Sequence, residues 1–253
     1  MAREGAAILA ATMKIIAHRG ASAEAPENTL GAIALACRRG ADGIEIDVQR
    51  SADDALMVIH DEDTARVTDH GWSVRAKTRR ELQTIDAGTW KGDAWRSEKI
   101  PVLDEVLSDL PSGKVLMVEI KDGPGSVSRL EDSLRNRQQN VNPVIVISFH
   151  EDTIAAVNRV NPDRQTMLLL GHKAGDSERV MGEAVASARR LGCLGLGLSR
   201  GWISQLSTVS KVPRAGLILS VWTVNDPREA RVWQSSGAHY LTTDDPAGIR
   251  LAL

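Results

Sequence analysis

The chain has 253 residues, of which 42% are hydrophobic and 25% charged, with a formal net charge of −2. This is an ordinary globular composition, long enough for a sizeable core in one large α/β domain or two small ones. The near-zero charge argues against bulk affinity for nucleic acid or an anionic membrane, and no run approaches the roughly 18 apolar residues of a spanning helix.

Aromatic residues are few, with six Trp, one Tyr and one Phe, so aliphatic side chains must fill the core and the Trp residues are expected at a surface or pocket. Cys37 and Cys193 have no metal-ligand spacing and read as free thiols in a reducing compartment, with the cytoplasm as the expected location. The oligomeric state stays open.

In chain order, residues 1–13 read as a loose N-terminal extension, because the apolar run from Ala6 to Met13 lacks a signal-like flank. Strand patterns follow at 14–17, 43–48, 56–60, 114–120, 144–148, 166–170, 194–198, 217–224 and 239–242. Helical patterns fall at 29–39, 103–110, 127–138, 152–160, 177–191, 227–235 and 246–253, with a weaker one at 203–209. Asn28 or Thr29 is placed to cap the first helix. The strands are nearly continuous Val/Ile/Leu runs, as in parallel sheets covered on both faces. About eight βα units in this length predict a single (β/α)8 TIM barrel over 14–253. A doubly wound sheet is the alternative, but no glycine-rich phosphate fingerprint follows the first strand. Residues 62–100 break the alternation with turn formers, charges and Trp72, Trp90 and Trp95. They read as an insertion that caps the barrel mouth.

Charged groups cluster where apolar strands stop. His18, Glu45, Asp47, Glu119, Lys121, Trp222 and Asp244 all fall at expected C-terminal strand ends, where barrel active sites lie. Glu45 and Asp47 are two apart, so they share a face. With Glu119 they offer an oxygen-only set suited to one divalent cation, Mg²⁺ or Ca²⁺. A solvent-facing edge strand would also alternate this way, but a closed parallel barrel has no edge. His18 and His60 each end an apolar run beside a charged residue, which suits a general acid and base. His70, His150, His172 and His239 lack that company and read as structural or surface residues. Arg19 and Lys121 supply fixed positive charge, for phosphate oxygens, for neighbouring carboxylates, or for both. Trp222 reads either as core or as an apolar wall against a substrate.

Taken together, the motifs His18-Arg19-Gly20, Pro26-Glu27-Asn28-Thr29, Glu45-Ile46-Asp47-Val48, Val58-Ile59-His60-Asp61, Val118-Glu119-Ile120-Lys121, Trp222-Thr223-Val224-Asn225 and Thr242-Thr243-Asp244-Asp245-Pro246 resemble those of the glycerophosphodiester phosphodiesterases. The resemblance runs from residue 14 to the end and keeps motif order. It implies a (β/α)8 barrel with a small insertion after the second strand. It also implies that Glu45, Asp47 and Glu119 hold the metal, that His18 and His60 are the acid–base pair, and that Arg19 and Lys121 contact phosphate. Glu27 would join the metal or substrate shell, with Asn28 orienting it. The implied reaction is hydrolysis of a small glycerophosphodiester to sn-glycerol 3-phosphate and an alcohol. Two alternatives are a lysophospholipase D-type enzyme on the same scaffold, which needs an apolar channel, and a non-catalytic phosphodiester-binding barrel, which would have lost part of the site.

Overall fold

In the computed structural model, which describes residues 12–135, 142–172 and 175–253, the first strand, β1 (Lys14–His18), pairs in parallel with two neighbours. These are β2 (Gly43–Arg50) and the last strand, β9 (Tyr240–Thr243). That double pairing closes the sheet. From β2 it runs through β4 (Val115–Ile120), β5 (Val144–Ser148), β6 (Gln165–Leu170), β7 (Gly195–Ser199) and β8 (Ile218–Trp222) to β9, all parallel. Around it lie α1 (Leu30–Arg38), α3 (Leu103–Asp109), α4 (Val127–Arg135), α5 (Glu151–Val160), α6 (Ser177–Arg190), α9 (Pro227–Ser235) and α10 (Pro246–Ala252). This is the expected (β/α)8 barrel. Thr29 caps α1 by accepting a hydrogen bond from the Ala32 N–H at 3.2 Å.

Period-two alternation decides which side chains face the barrel axis. Ile16, Met117, Ile147, Met167 and Leu169 pack together inside the barrel. Their strand neighbours, such as Ala17, Ile44, Ile46 and Leu116, pack outward against the helices. Of the six Trp residues, Trp202 and Trp233 are fully buried core on the far side of the barrel, against the expectation that Trp would gather at surfaces and pockets.

The sequence 56–60 differs from the other strand patterns. It contains the three-residue β3 (Leu56–Val58), antiparallel to β2 with Val48 opposite Val58 and Arg50 opposite Leu56. A parallel crossover needs a dozen or more residues, and only 51–55 separate the two strands. The chain instead makes a tight turn in which Ser51 N–H donates to Ala55 O at 2.9 Å. β1 reaches only as far as Glu45 on β2, so β3 uses the part of β2 that projects beyond it. The chain therefore leaves the barrel already at β3. The excursion has its own small core, including Met57, Ile59, Val67, Leu82 and Ile100, with one short α-helix, α2 (Arg79–Leu82), and three 3₁₀ turns. The weaker helix expected at 203–209 breaks into a 3₁₀ turn (Arg200–Gln205) and two four-residue helices, α7 (Leu206–Val209) and α8 (Lys211–Arg214). The Ser204 and Ser210 hydroxyls donate to Gly201 O and Ser207 O, which favours short turns over a continuous helix.

Residues 1–11 of the expected extension and 136–138 of the helix expected at 127–138 lie outside the described residues. Among the described residues no helix is long and apolar enough to cross a membrane.

Candidate active site

The site begins where β1 stops. Arg19 has φ +56° and Gly20 φ +86°, so the chain reverses immediately after His18. A Cβ on Gly20 would lie 2.6 Å from the Ala32 carbonyl carbon, so glycine is required both by the left-handed backbone and by the close approach of α1. The reversal lets the Arg19 N–H donate to Glu45 O at 2.9 Å and Glu45 Oε2 at 3.1 Å. Its guanidinium then crosses the barrel mouth. Nη1 donates to Glu27 Oε1 at 2.8 Å, and Nε stands 3.1 Å from Asp47 Oδ2. Burial works against the Arg19 charge, but Asp47, Glu27 and Glu45 outweigh it and raise its pKa. Asn28 is buried and donates through Nδ2 to Asp47 Oδ2 at 2.9 Å.

Glu45 and Asp47 point inward from β2, and Glu119 from β4 stands level with Asp47. One oxygen from each of the three buried carboxylates lies within 4.8 Å of the others. Burial and the charges of Asp47 and Glu119 push the Glu45 carboxyl well above its usual range. Burial and the charge of Asp47 raise Glu119 to about 7, although Lys121 Nζ lies 2.9 Å from it. Asp47 Oδ1 is buried and has no hydrogen-bond partner among the described residues. Buried like charges and an orphaned carboxylate oxygen are costly unless a cation compensates them. A donor set made only of oxygen suits a hard divalent cation.

The two histidines flank this cluster. His18 Nδ1 is 2.7 Å from Asp244 Oδ1. The same carboxylate accepts from Ser22 Oγ at 2.9 Å and Asn225 Nδ2 at 2.6 Å. His60 Nδ1 is 2.6 Å from Asp61 Oδ1, and Gln49 Nε2 holds the adjoining backbone by donating to His60 O at 2.8 Å. Burial lowers the His60 pKa, against the opposing charge of Asp47. In each pair the carboxylate holds the ring through Nδ1.

His18, Arg19, His60 and Lys121 form one wall of a cleft of about 620 Å³, counting the space open to solvent. The opposite wall is apolar, with Ile147, Phe149, Leu169 and Trp222. Trp222 is fixed by donating Nε1–H to Gly197 O at 3.1 Å, with Phe149 edge-on at 5.5 Å. The structure thus brings eight of the singled-out residues, His18, Arg19, Glu45, Asp47, His60, Glu119, Lys121 and Trp222, to one mouth. Glu27 stands behind Arg19, away from the cleft wall. His70, His150, His172 and His239 do not line the cleft. Sequence reasoning did not single out Asp61 or Arg66 and gave Asp244 no role. Asp61 beside His60 was the one available signal, because His18 is distant in sequence from Asp244 and Glu27 is distant from Arg66.

The profile of the glycerophosphoryl diester phosphodiesterase family matches residues 18–248. A glycerophosphodiester phosphodiesterase of Caldanaerobacter subterraneus subsp. tengcongensis is 32% identical over 237 residues, spanning 92% of this chain and 94% of the relative. The structure of an Oleispira antarctica phosphodiesterase in complex with the product sn-glycerol-3-phosphate superposes with a TM-score of 0.84 at 27% identity, covering 95% and 96% of the two chains. That of a glycerophosphodiester phosphodiesterase from Agrobacterium tumefaciens gives 0.80 at 28% identity, covering 95% and 100%.

Proposed function

The chain belongs to the glycerophosphoryl diester phosphodiesterase family, and from that premise we propose that it hydrolyses small glycerophosphodiesters to sn-glycerol 3-phosphate and an alcohol. The observation that carries this reading is the meeting of three buried carboxylates and two carboxylate-held imidazoles in one cleft. Glu45, Asp47 and Glu119 are the ligands for a divalent cation, Mg²⁺ or Ca²⁺. Such a cation supplies charge neutralisation at the phosphate oxygens.

The residues of the chain account for the rest. Arg19 and Lys121 stand at the same mouth and bind the phosphodiester anion, where they stabilise the charge that grows on its non-bridging oxygens. One imidazole Nε2 takes the proton of the attacking hydroxyl as a P–O bond forms. The other gives a proton to the leaving alkoxide as the second P–O bond breaks; hydrolysis consumes one water, and a proton passed through solvent from the first ring to the second restores both. Asp244 and Asp61 hold the rings in the tautomer that this exchange requires. Trp222 packs against the substrate carbons, and Glu27 fixes Arg19. The free Cys37 and Cys193 fit a reducing, cytoplasmic setting.

The test is turnover of a panel of glycerophosphodiesters with and without EDTA. Activity lost in chelator and restored by Mg²⁺ or Ca²⁺ is expected. Full turnover by metal-stripped protein would overturn the metal role, and no turnover of any diester with metal present would overturn the reaction.

A further inference from the structure

Arg66 stands on the excursion, outside the cleft, yet it joins the two sides of the site. Its Nε donates to Asp61 Oδ2 at 2.6 Å, Nη1 to Glu27 Oε2 at 2.6 Å and Nη2 to Glu27 Oε1 at 2.8 Å. All three guanidinium nitrogens are used. The other oxygen of Asp61 holds His60 Nδ1, and Glu27 Oε1 also accepts from Arg19 Nη1. The result is an unbroken line of charge-assisted hydrogen bonds, His60–Asp61–Arg66–Glu27–Arg19.

The anchoring of Arg66 argues against a casual surface contact. Its side chain is 44% exposed, whereas that of Glu27 is only 12% exposed. Its neighbours Thr64 and Val67 are buried. Val67 packs into the core of the excursion, and Thr64 Oγ1 accepts from Trp72 N–H at 3.1 Å. The backbone under Arg66 is therefore fixed even though the guanidinium reaches the surface. An exposed ion pair adds little to stability. A planar fork spanning two carboxylates adds geometry, which a lysine cannot reproduce. Each carboxylate in turn holds a different group of the site.

We propose that Arg66 is a positioning residue that sets His60 and Arg19 in fixed relation to each other, acting through Asp61 and Glu27. The excursion then contributes to the reaction by completing the support of the mouth as well as covering it. This inference rests on the reading of His60 as a proton-transfer group and Arg19 as a phosphate ligand.

The experiment measures kcat and KM on a small glycerophosphodiester with saturating divalent metal, alongside the melting temperature, for Arg66→Gln, Arg66→Lys, Asp61→Asn, Glu27→Gln and the two double variants that carry Arg66→Gln. Arg66→Gln should lose about 10- to 100-fold in kcat/KM at near wild-type melting temperature, and Arg66→Lys should not restore it. The loss should shrink when Arg66→Gln is added to Asp61→Asn or to Glu27→Gln, because each partner already lacks its link. An Arg66→Gln enzyme within about twofold of wild type, or one whose loss is undiminished in both backgrounds, overturns the proposal. If Arg66→Gln does not fold, Arg66→Lys takes its place in the same cycles. His60→Ala and Arg19→Gln separate the two readings. If both keep full activity, the roles of His60 and Arg19 fall; if both lose it while Arg66→Gln does not, only the positioning role falls.

Discussion

His18 and Asp244 are 226 residues apart in sequence and 2.7 Å apart in the folded chain. They meet because β1 pairs with β9, so closure of the barrel itself builds the dyad. Burial works against the Asp244 charge, but His18, Asn225 and Ser22 outweigh it and hold the carboxyl at about 2.

The first prediction follows from this dyad. Asp244→Asn should lower kcat by about 10- to 100-fold with KM little changed, since the ring loses the anion that orients it. His18→Ala should cost about 10²–10⁴ in kcat. The folded pKa of Asp244 lies below the unfolded value, so its contribution to stability is complete above about pH 4 and lost as pH falls towards 2. Urea unfolding should therefore separate wild type from Asp244→Asn at pH 7, and the gap should narrow below pH 4. A gap independent of pH would sever the link between this carboxylate's ionisation and stability.

The acidic cluster gives a prediction of opposite sign. Glu119 is raised to about 7, so its stabilising contribution is present below the unfolded value of 4.5 and disappears as pH rises through 7. In metal-free protein Glu119→Gln should therefore become more stable than wild type as pH rises from 5 to 8, by roughly 1–3 kcal/mol. Added Mg²⁺ or Ca²⁺ should raise the melting temperature of wild type and leave that of the variant nearly unchanged. A variant that keeps the full metal response removes Glu119 from the ligand set.

Trp222 lines the cleft and offers an apolar face, with its only polar atom already given to Gly197. A wall that contacts substrate and transition state alike contributes uniform binding. Trp222→Ala should raise KM and leave kcat largely unchanged. A core tryptophan would instead cost about 3–5 kcal/mol of stability. A large fall in melting temperature with unaltered KM would assign Trp222 to the core.

Substrate size is the last prediction. The apolar wall is short, ending at Phe149 and Trp222 on the mouth, and the cleft of about 620 Å³ includes open solvent. That suits an alcohol of a few carbons. Water-soluble diesters should exceed lysophospholipids in kcat/KM. The reverse ranking would move the assignment to a lysophospholipase D-type enzyme.

The strand positions, the shared face of Glu45 and Asp47 and the gathering of charges at strand ends were legible in the sequence, because they follow from local rules: apolar runs, period two and βα alternation. The excursion was legible as a break in that rhythm, but its first strand read like the others, since a short apolar run carries no mark of its direction. Only the distance along the chain between 50 and 56 rules out a parallel crossover there.

The sequence by itself therefore determined the barrel and the identity of the groups at its mouth. The tertiary structure alone decided which polar groups answer one another: Asp244 behind His18, Glu27 between Arg19 and Arg66, and Asn28 on Asp47. It also decided that the three carboxylates crowd closely enough to shift Glu45 and Glu119 upward. The reason is physical. Alternation along a strand is fixed by neighbours in the chain, whereas a hydrogen bond or a repulsion depends on separation in space, and across a closed barrel that separation is set by every strand and connection between the partners.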